Sequence, residues 1–83
     1  MLGKIILLNL KCGLVLFEDE IGDYGYFEVL GAGEFEPGEI IVGDLHSLGS
    51  QIIVNQTKSE KIDVFIEDYG MSFHKAKEIV FRK

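Results

Sequence analysis

The chain has 83 residues, 47% of them hydrophobic, with fourteen acidic against eight basic side chains and a formal net charge of −6. That is chain enough for one domain, 1–83, and too apolar to stay disordered; the acidic balance works against binding phosphate backbones or anionic lipid. A single cysteine, Cys12, excludes an internal disulfide framework, and no apolar run is long enough for a membrane-spanning helix.

The first predicted element is the run Lys4 to Phe17, IILLNLKCGLVLF with its leading lysine. It is longer than one ordinary strand. Gly13 allows a bulge or bend, so one long strand can serve two sides of a barrel; two strands with a kink between them is the competing reading. Cys12 falls inside this apolar pattern and reads as a structural thiol, since reactivity needs an electropositive, accessible setting. The opening IILLNL is short, broken by Asn9 and followed by no small-residue cleavage site, which makes a cytoplasmic protein the expectation.

Gly13 to Leu30, GLVLFEDEIGDYGYFEVL, reads as two strands around an acidic turn, with Ile21 tucked back as an anchor. From Tyr24 on, residues alternate. Gly25, Phe27 and Val29 take the core face, and Tyr24, Tyr26 and Glu28 the outer one. Gly31-Ala32-Gly33 ends the strand; it is too short for a phosphate loop and lacks the lysine one requires. Pro37-Gly38 is a turn dipeptide. Ile40 to Leu45 is the next strand, bent at Gly43, followed by a turn at Leu48-Gly49-Ser50 and a short strand QIIVN, Gln51 to Asn55.

After a polar loop, Ile62, Val64 and Ile66 alternate with Asp63, Phe65 and Glu67, a half-buried last strand that Tyr69-Gly70-Met71 should stop. Ser72 is placed to cap a helix whose stripe is Phe73, Ala76, Ile79 and Val80. Its basic residues, Lys75, Lys77, Arg82 and Lys83, lie toward the C-terminal end and suit the dipole there. A terminal strand KEIVF is the competing reading of Phe73 to Phe81. Short strands with glycine bends predict a mainly β chain: a small five-stranded OB-like antiparallel barrel with a short C-terminal helix.

No residue pattern carries catalysis, and no cofactor motif is present. The serines lie in no nucleophile elbow. Asp44 and His46 are two ligands where a metal site needs more, and His74 has no local partner. The run Glu18-Asp19-Glu20 is a solvated turn or a cation-attracting one. Asn55-Gln56-Thr57 matches a glycosylation acceptor, which has no meaning without secretion.

Between Gly13 and Val29 the residues Gly13, Val15, Phe17 and Tyr24-Gly25-Tyr26 follow, without a gap, the order G-x-V-K-W-F, polar loop, K-G-[FY]-G-F. The stretch resembles the first hairpin of cold-shock domains, five-stranded members of the OB-fold group that bind single-stranded nucleic acid by stacking bases on surface aromatics. The resemblance implies Phe17, Tyr24 and Tyr26 as such a platform. The family's lysines are replaced by Leu16 and Gly22, its next aromatic by Glu18, and its loop is acidic here. DVFIED, Asp63 to Asp68, looks like the family's second motif but comes late, with Glu67 and Asp68 where His and Phe belong.

Phe17, Tyr24, Tyr26 and Phe65 are therefore the candidate binding residues. As an exposed stripe they suit a protein partner, because tyrosine is enriched at interfaces; a tail helix packed over the tyrosines would make them core instead. The expected function is a non-enzymatic interaction module that binds protein through an aromatic and acidic face. The alternative is a divergent cold-shock-like binder of single-stranded nucleic acid, disfavoured by the negative charge. No membrane partner is expected, and the chain is a monomer or a weak homodimer paired through an exposed strand edge.

Overall fold

The computed structural model describes residues 1–82. It is mainly β: β1 Leu2–Asn9, β2 Leu14–Asp19, β3 Tyr24–Val29, β4 Ile40–Val42, β5 Gly49–Asn55 and β6 Glu60–Met71, followed by α1 Phe73–Arg82. The strands close into an antiparallel barrel in the order β1-β2-β3-β6-β5-β4, with β4 returning to β1. Two meanders, β1-β2-β3 and β4-β5-β6, are thus zipped together along both of their outer strands. Lys83, expected with the basic tail, lies outside the described residues.

The barrel has six strands rather than the expected five, because Lys4 to Phe17 is two strands. Leu10 to Gly13 form a turn. Asn9 builds it: its side-chain oxygen accepts from the Lys11 N–H at 3.2 Å, and its backbone oxygen accepts from the Cys12 N–H at 3.2 Å. Gly13, at φ 67°, supplies the left-handed step that reverses the chain. Cys12 accordingly sits half-buried in a turn and not in a strand. The unbroken apolar run before it has its own cause, a register shift between Ile5 and Leu7. Ile5 and Leu8 face the barrel interior, while Ile6 and Leu7 both face the helix. Such a bulge abolishes the alternation that a sequence reading relies on.

The barrel closes through the short β4, which pairs with Leu2–Lys4 of β1 and with Val54–Asn55 of β5. The ten residues after Val29 cross one barrel end, where Phe35 plugs the opening and meets Phe27 edge-on at 5.3 Å. The turn at Pro37-Gly38 is tied to β1 through Gly38 N–H to Ile5 O at 2.7 Å and Ile5 N–H to Glu39 O at 2.8 Å. β4 ends at Val42 rather than Leu45: Gly43 turns the chain away and Leu45 becomes fully buried core. β6 runs on to Met71, past the expected stop, because its second half pairs with β3 through two register shifts.

Gly25 is required at that crossing. A Cβ there would lie 2.6 Å from the Asp68 carbonyl oxygen and 2.7 Å from the Phe17 ring. The interior holds Ile5, Val15, Phe17, Phe27, Ile41, Leu45, Ile53, Ile62, Val64 and Ile66. A second apolar cluster lies outside the barrel, where Leu14, Leu16 and Tyr26 meet Ala76 and Val80 of α1. The segment Phe73 to Phe81 is therefore helix. The Ser72 hydroxyl accepts from the Lys75 N–H at 3.2 Å as its N-cap. Asn9 Nδ2 donates to Val80 O at 2.8 Å and ties the last turn to the β1–β2 turn.

Candidate docking face

β2 is apolar on both sides. Val15 and Phe17 point into the barrel, Leu14 and Leu16 out of it. The outer pair has to be covered, and the Ala76–Val80 stripe of α1 covers it. That packing decides the fate of the hairpin aromatics. Phe17 is fully buried in the interior, stacked with Phe27 at 5.9 Å between ring centres. Tyr26 does point out of the barrel, but beneath the helix, and only 7% of it remains exposed. Tyr24 is half-buried, its ring edge-on to Phe73 at 5.4 Å and its hydroxyl donating to Glu18 Oε2 at 3.3 Å. Burial and the Glu18 charge push the Tyr24 hydroxyl's ionisation up; burial with Glu67 and Asp68 does the same to Tyr26. The exposed platform that the resemblance implies for Phe17, Tyr24 and Tyr26 is corrected, and the competing reading, a tail helix packed over the tyrosines, is the one the structure shows: these rings brace the helix and the core.

Phe65 keeps its exposure, at 39%, on β6 beside β3 and outside the helix contact. It lies opposite Glu28 of β3 and Ser50 of β5. In the next row Asp63 lies opposite Ile52 of β5, and on its other side the Leu30 N–H donates to the Asp63 backbone oxygen at 2.9 Å. Ile52 is 65% exposed and Leu30 51%. Leu30 and Ile52 border an open groove of about 690 Å³, lined by Leu30, Ser50, Gln51, Ile52, Asp63 and Val64, and Phe65 lies one row along on the same strand face. The Asp63 carboxylate has no hydrogen-bond or ion-pair partner among the described residues. Alternation along β3 and β6 adds Glu28, Glu67 and one cation, Lys61, to the same outer face. Only Phe65 of this set was visible in the sequence as a candidate. Ile52 is one of two adjacent isoleucines, and nothing but strand register tells which of them, Ile52 or Ile53, faces solvent.

The acidic turn is an anchored corner. The Asp19 side chain is fully buried. Its Oδ1 accepts from the N–H groups of Ile21 at 3.1 Å and Asp23 at 3.0 Å, and its Oδ2 lies 2.6 Å from His46 Nε2. His46 stacks on Tyr69 at 4.6 Å between ring centres. Burial pushes the Asp19 carboxyl up, but the His46 bond and the two backbone donors outweigh it and hold the group below its ordinary 3.8. With Asp19 ionised, Nε2 carries the proton, so His46 is engaged by Asp19 and not by Asp44. Ile21, expected to tuck inward, is 67% exposed, because Asp19 rather than an apolar anchor holds the turn.

At the opposite corner Glu39 is buried. It accepts from the Glu36 N–H at 2.7 Å, from Asn55 Nδ2 at 2.9 Å and from Lys58 Nζ at 3.2 Å. Burial raises the Glu39 carboxyl and these donors more than offset it, leaving it lowered; Lys58 is held protonated by Glu39, Glu36 and Glu60 against its own desolvation. Asn55, fully buried, is part of this cluster, which explains the chance acceptor motif around it. Among the described residues no three His, Cys, Asp or Glu side chains converge as metal ligands, and no helix is long and apolar enough to cross a membrane. No family model, curated protein or solved structure matches this chain.

Proposed function

We propose that the protein is a non-catalytic interaction module whose outer β3–β6–β5 face docks a protein segment carrying both basic and apolar side chains. The observation that carries this is the unpartnered Asp63 carboxylate flanked by the exposed side chains of Leu30, Ile52 and Phe65. Exposed apolar groups gathered around a groove mark docking surfaces. A carboxylate among them selects a cationic partner and suppresses an acidic one. Glu28 and Glu67 add to that field against the single Lys61.

The same reading treats the barrel as OB-like in architecture, with a changed working face. OB-type barrels bind oligonucleotides over an open sheet face; here α1 packs on β2 and β3, the hairpin that carries the cold-shock resemblance, and covers its outer face. The cold-shock-like alternative keeps Phe65 as its one open ring, and a net charge of −6 opposes phosphate.

The test is fluorescence anisotropy with a labelled peptide of alternating lysine and leucine, and with labelled oligo-dT as the comparison. The peptide should bind at low salt and lose about tenfold affinity or more on Asp63→Lys and on Phe65→Ser. Peptide binding that ignores both substitutions, or tighter binding of oligo-dT, overturns the proposal.

A further inference from the structure

We propose that the segment docked on the β3–β6–β5 face is helix α1 of a second copy, so that copies associate head to tail. This rests on the reading of that face as a docking surface and names its occupant. The molecule is electrostatically two-sided. Although its net charge is −6, α1 exposes Lys75, Lys77 and Arg82 against a single acid, Glu78. Glu78 is already engaged by Arg82 and by His74 at 3.9 Å, which leaves Lys75 and Lys77 without a carboxylate partner among the described residues.

Phe73, Lys77 and Phe81 follow one another at i, i+4 and i+8, so they form one ridge along the flank of the helix. Both phenylalanines remain substantially exposed, and Lys77 Nζ lies 5.9 Å from the Phe73 ring centre. The ridge reads apolar, cation, apolar. The row Leu30, Asp63, Ile52 reads apolar, anion, apolar, with Leu30 just past the end of β3, Asp63 on β6 and Ile52 on β5. The outer members stand about 12 Å apart on the helix, at 1.5 Å per residue, and about 10 Å apart across the strands. The two patterns therefore match in order, in sign and nearly in length.

Position settles the geometry of association. In the closed order β1-β2-β3-β6-β5-β4, the strand across the barrel from β2 is β5. α1 packs over β1, β2 and β3, while the groove is centred on Asp63 of β6 and reaches Ile52 of β5, so ridge and groove lie on different faces of the barrel. Each contact joins the ridge of one copy to the groove of the next, a heterologous pairing that builds chains of copies where it does not close into a ring. A ten-residue helix offers well under the ~800 Å² per partner of a stable complex. The association is consequently weak and grows with concentration.

Sedimentation velocity on the full chain, from low micromolar to about 1 mM and at about 20 mM and 500 mM salt, tests this. The wild-type sedimentation coefficient should rise with concentration at low salt and flatten at high salt. Asp63→Lys and Lys77→Glu should each hold the protein monomeric, with unchanged far-ultraviolet circular dichroism. Combining both substitutions in one chain should restore association, because the reversed charges again match. A wild type that stays monomeric, single variants that associate as it does, or a double variant that fails to recover overturns the inference. The lysine–leucine peptide separates the two readings. Peptide binding that still depends on Asp63 in a monomeric wild type rejects only the second copy as occupant; loss of both rejects the docking face itself.

Discussion

His46→Ala should be the most informative single change at the acidic turn. It removes the group 2.6 Å from the buried Asp19 Oδ2 and leaves that oxygen without its side-chain donor. A hydrogen bond to a charged acceptor contributes about 1.5–3 kcal/mol, and the ring lost from Tyr69 about 0.5–1.5 kcal/mol more. The expected destabilisation is about 2–4 kcal/mol, a fall in melting temperature on the order of 10–20 °C for a domain of this size. Urea unfolding at neutral pH measures it directly. The pH dependence has a definite sign. Asp19 has its folded pKa depressed below 3.8, so its contribution is fully present above 3.8 and is lost as the pH falls through the lower folded value. His46→Ala removes the largest interaction that lowers this carboxyl and should shrink that acid-side loss, while Asp19→Asn should abolish it. A His46→Ala protein within about 0.5 kcal/mol of wild type, with the same acid limb, would show that the dyad holds nothing.

Gly25→Ala should cost about 1–3 kcal/mol by forcing its Cβ against the Asp68 carbonyl and the Phe17 ring, measured by thermal unfolding. Glu39→Ala strands the fully buried Asn55 amide and the Glu36 N–H; a loss of about 1–3 kcal/mol is expected in urea. Asn9→Ala frees the Val80 carbonyl, and amide exchange should quicken in the last turn of α1 before it does in the barrel strands. Ile52→Thr keeps a β-branched residue at an exposed strand position, so stability should stay within about 0.5 kcal/mol while affinity for the lysine–leucine peptide falls.

β6 was legible because it buries one face and alternates with period two, and the β2–β3 hairpin because its acidic turn separates an apolar run from the alternating Tyr24 to Val29. Ser72 and the Ala76–Val80 stripe marked the helix in the same way. β1 was not legible as a separate strand. Its bulge at Ile5–Leu7 turns two successive side chains to one side, and the Asn9 turn that ends it contains Leu10 and Cys12, residues that look like strand. Tyr24 and Tyr26 were placed on the correct side of their strand, but their exposure depends on where the helix, some fifty residues later in the chain, comes to rest. The groove around Asp63 was the least visible part. It is assembled from β5, β6 and the residue that follows β3, and no local pattern records that Leu30 and Ile52 come to flank Asp63 of β6.

The two outer sides of this barrel pose the same physical problem and meet it differently. Over β2 the outward Leu14 and Leu16 are covered by the chain's own helix, and their burial anchors Ala76 and Val80 in turn. Over β5 and β6 the outward Ile52 and Phe65 stay open, although a helix or loop could cover them as readily. Strand propensity alone accounts for a β-branched Ile52, since such residues suit a pleated surface at any exposure. It does not account for Leu30, which lies beyond the end of β3, nor for an unpartnered carboxylate set between the two apolar side chains. Desolvating Asp63 next to them without a cation would be costly, and with one it would be favourable. On the proposed reading the open side is selective in a way that the covered side never needs to be, and that selectivity separates a docking surface from leftover core.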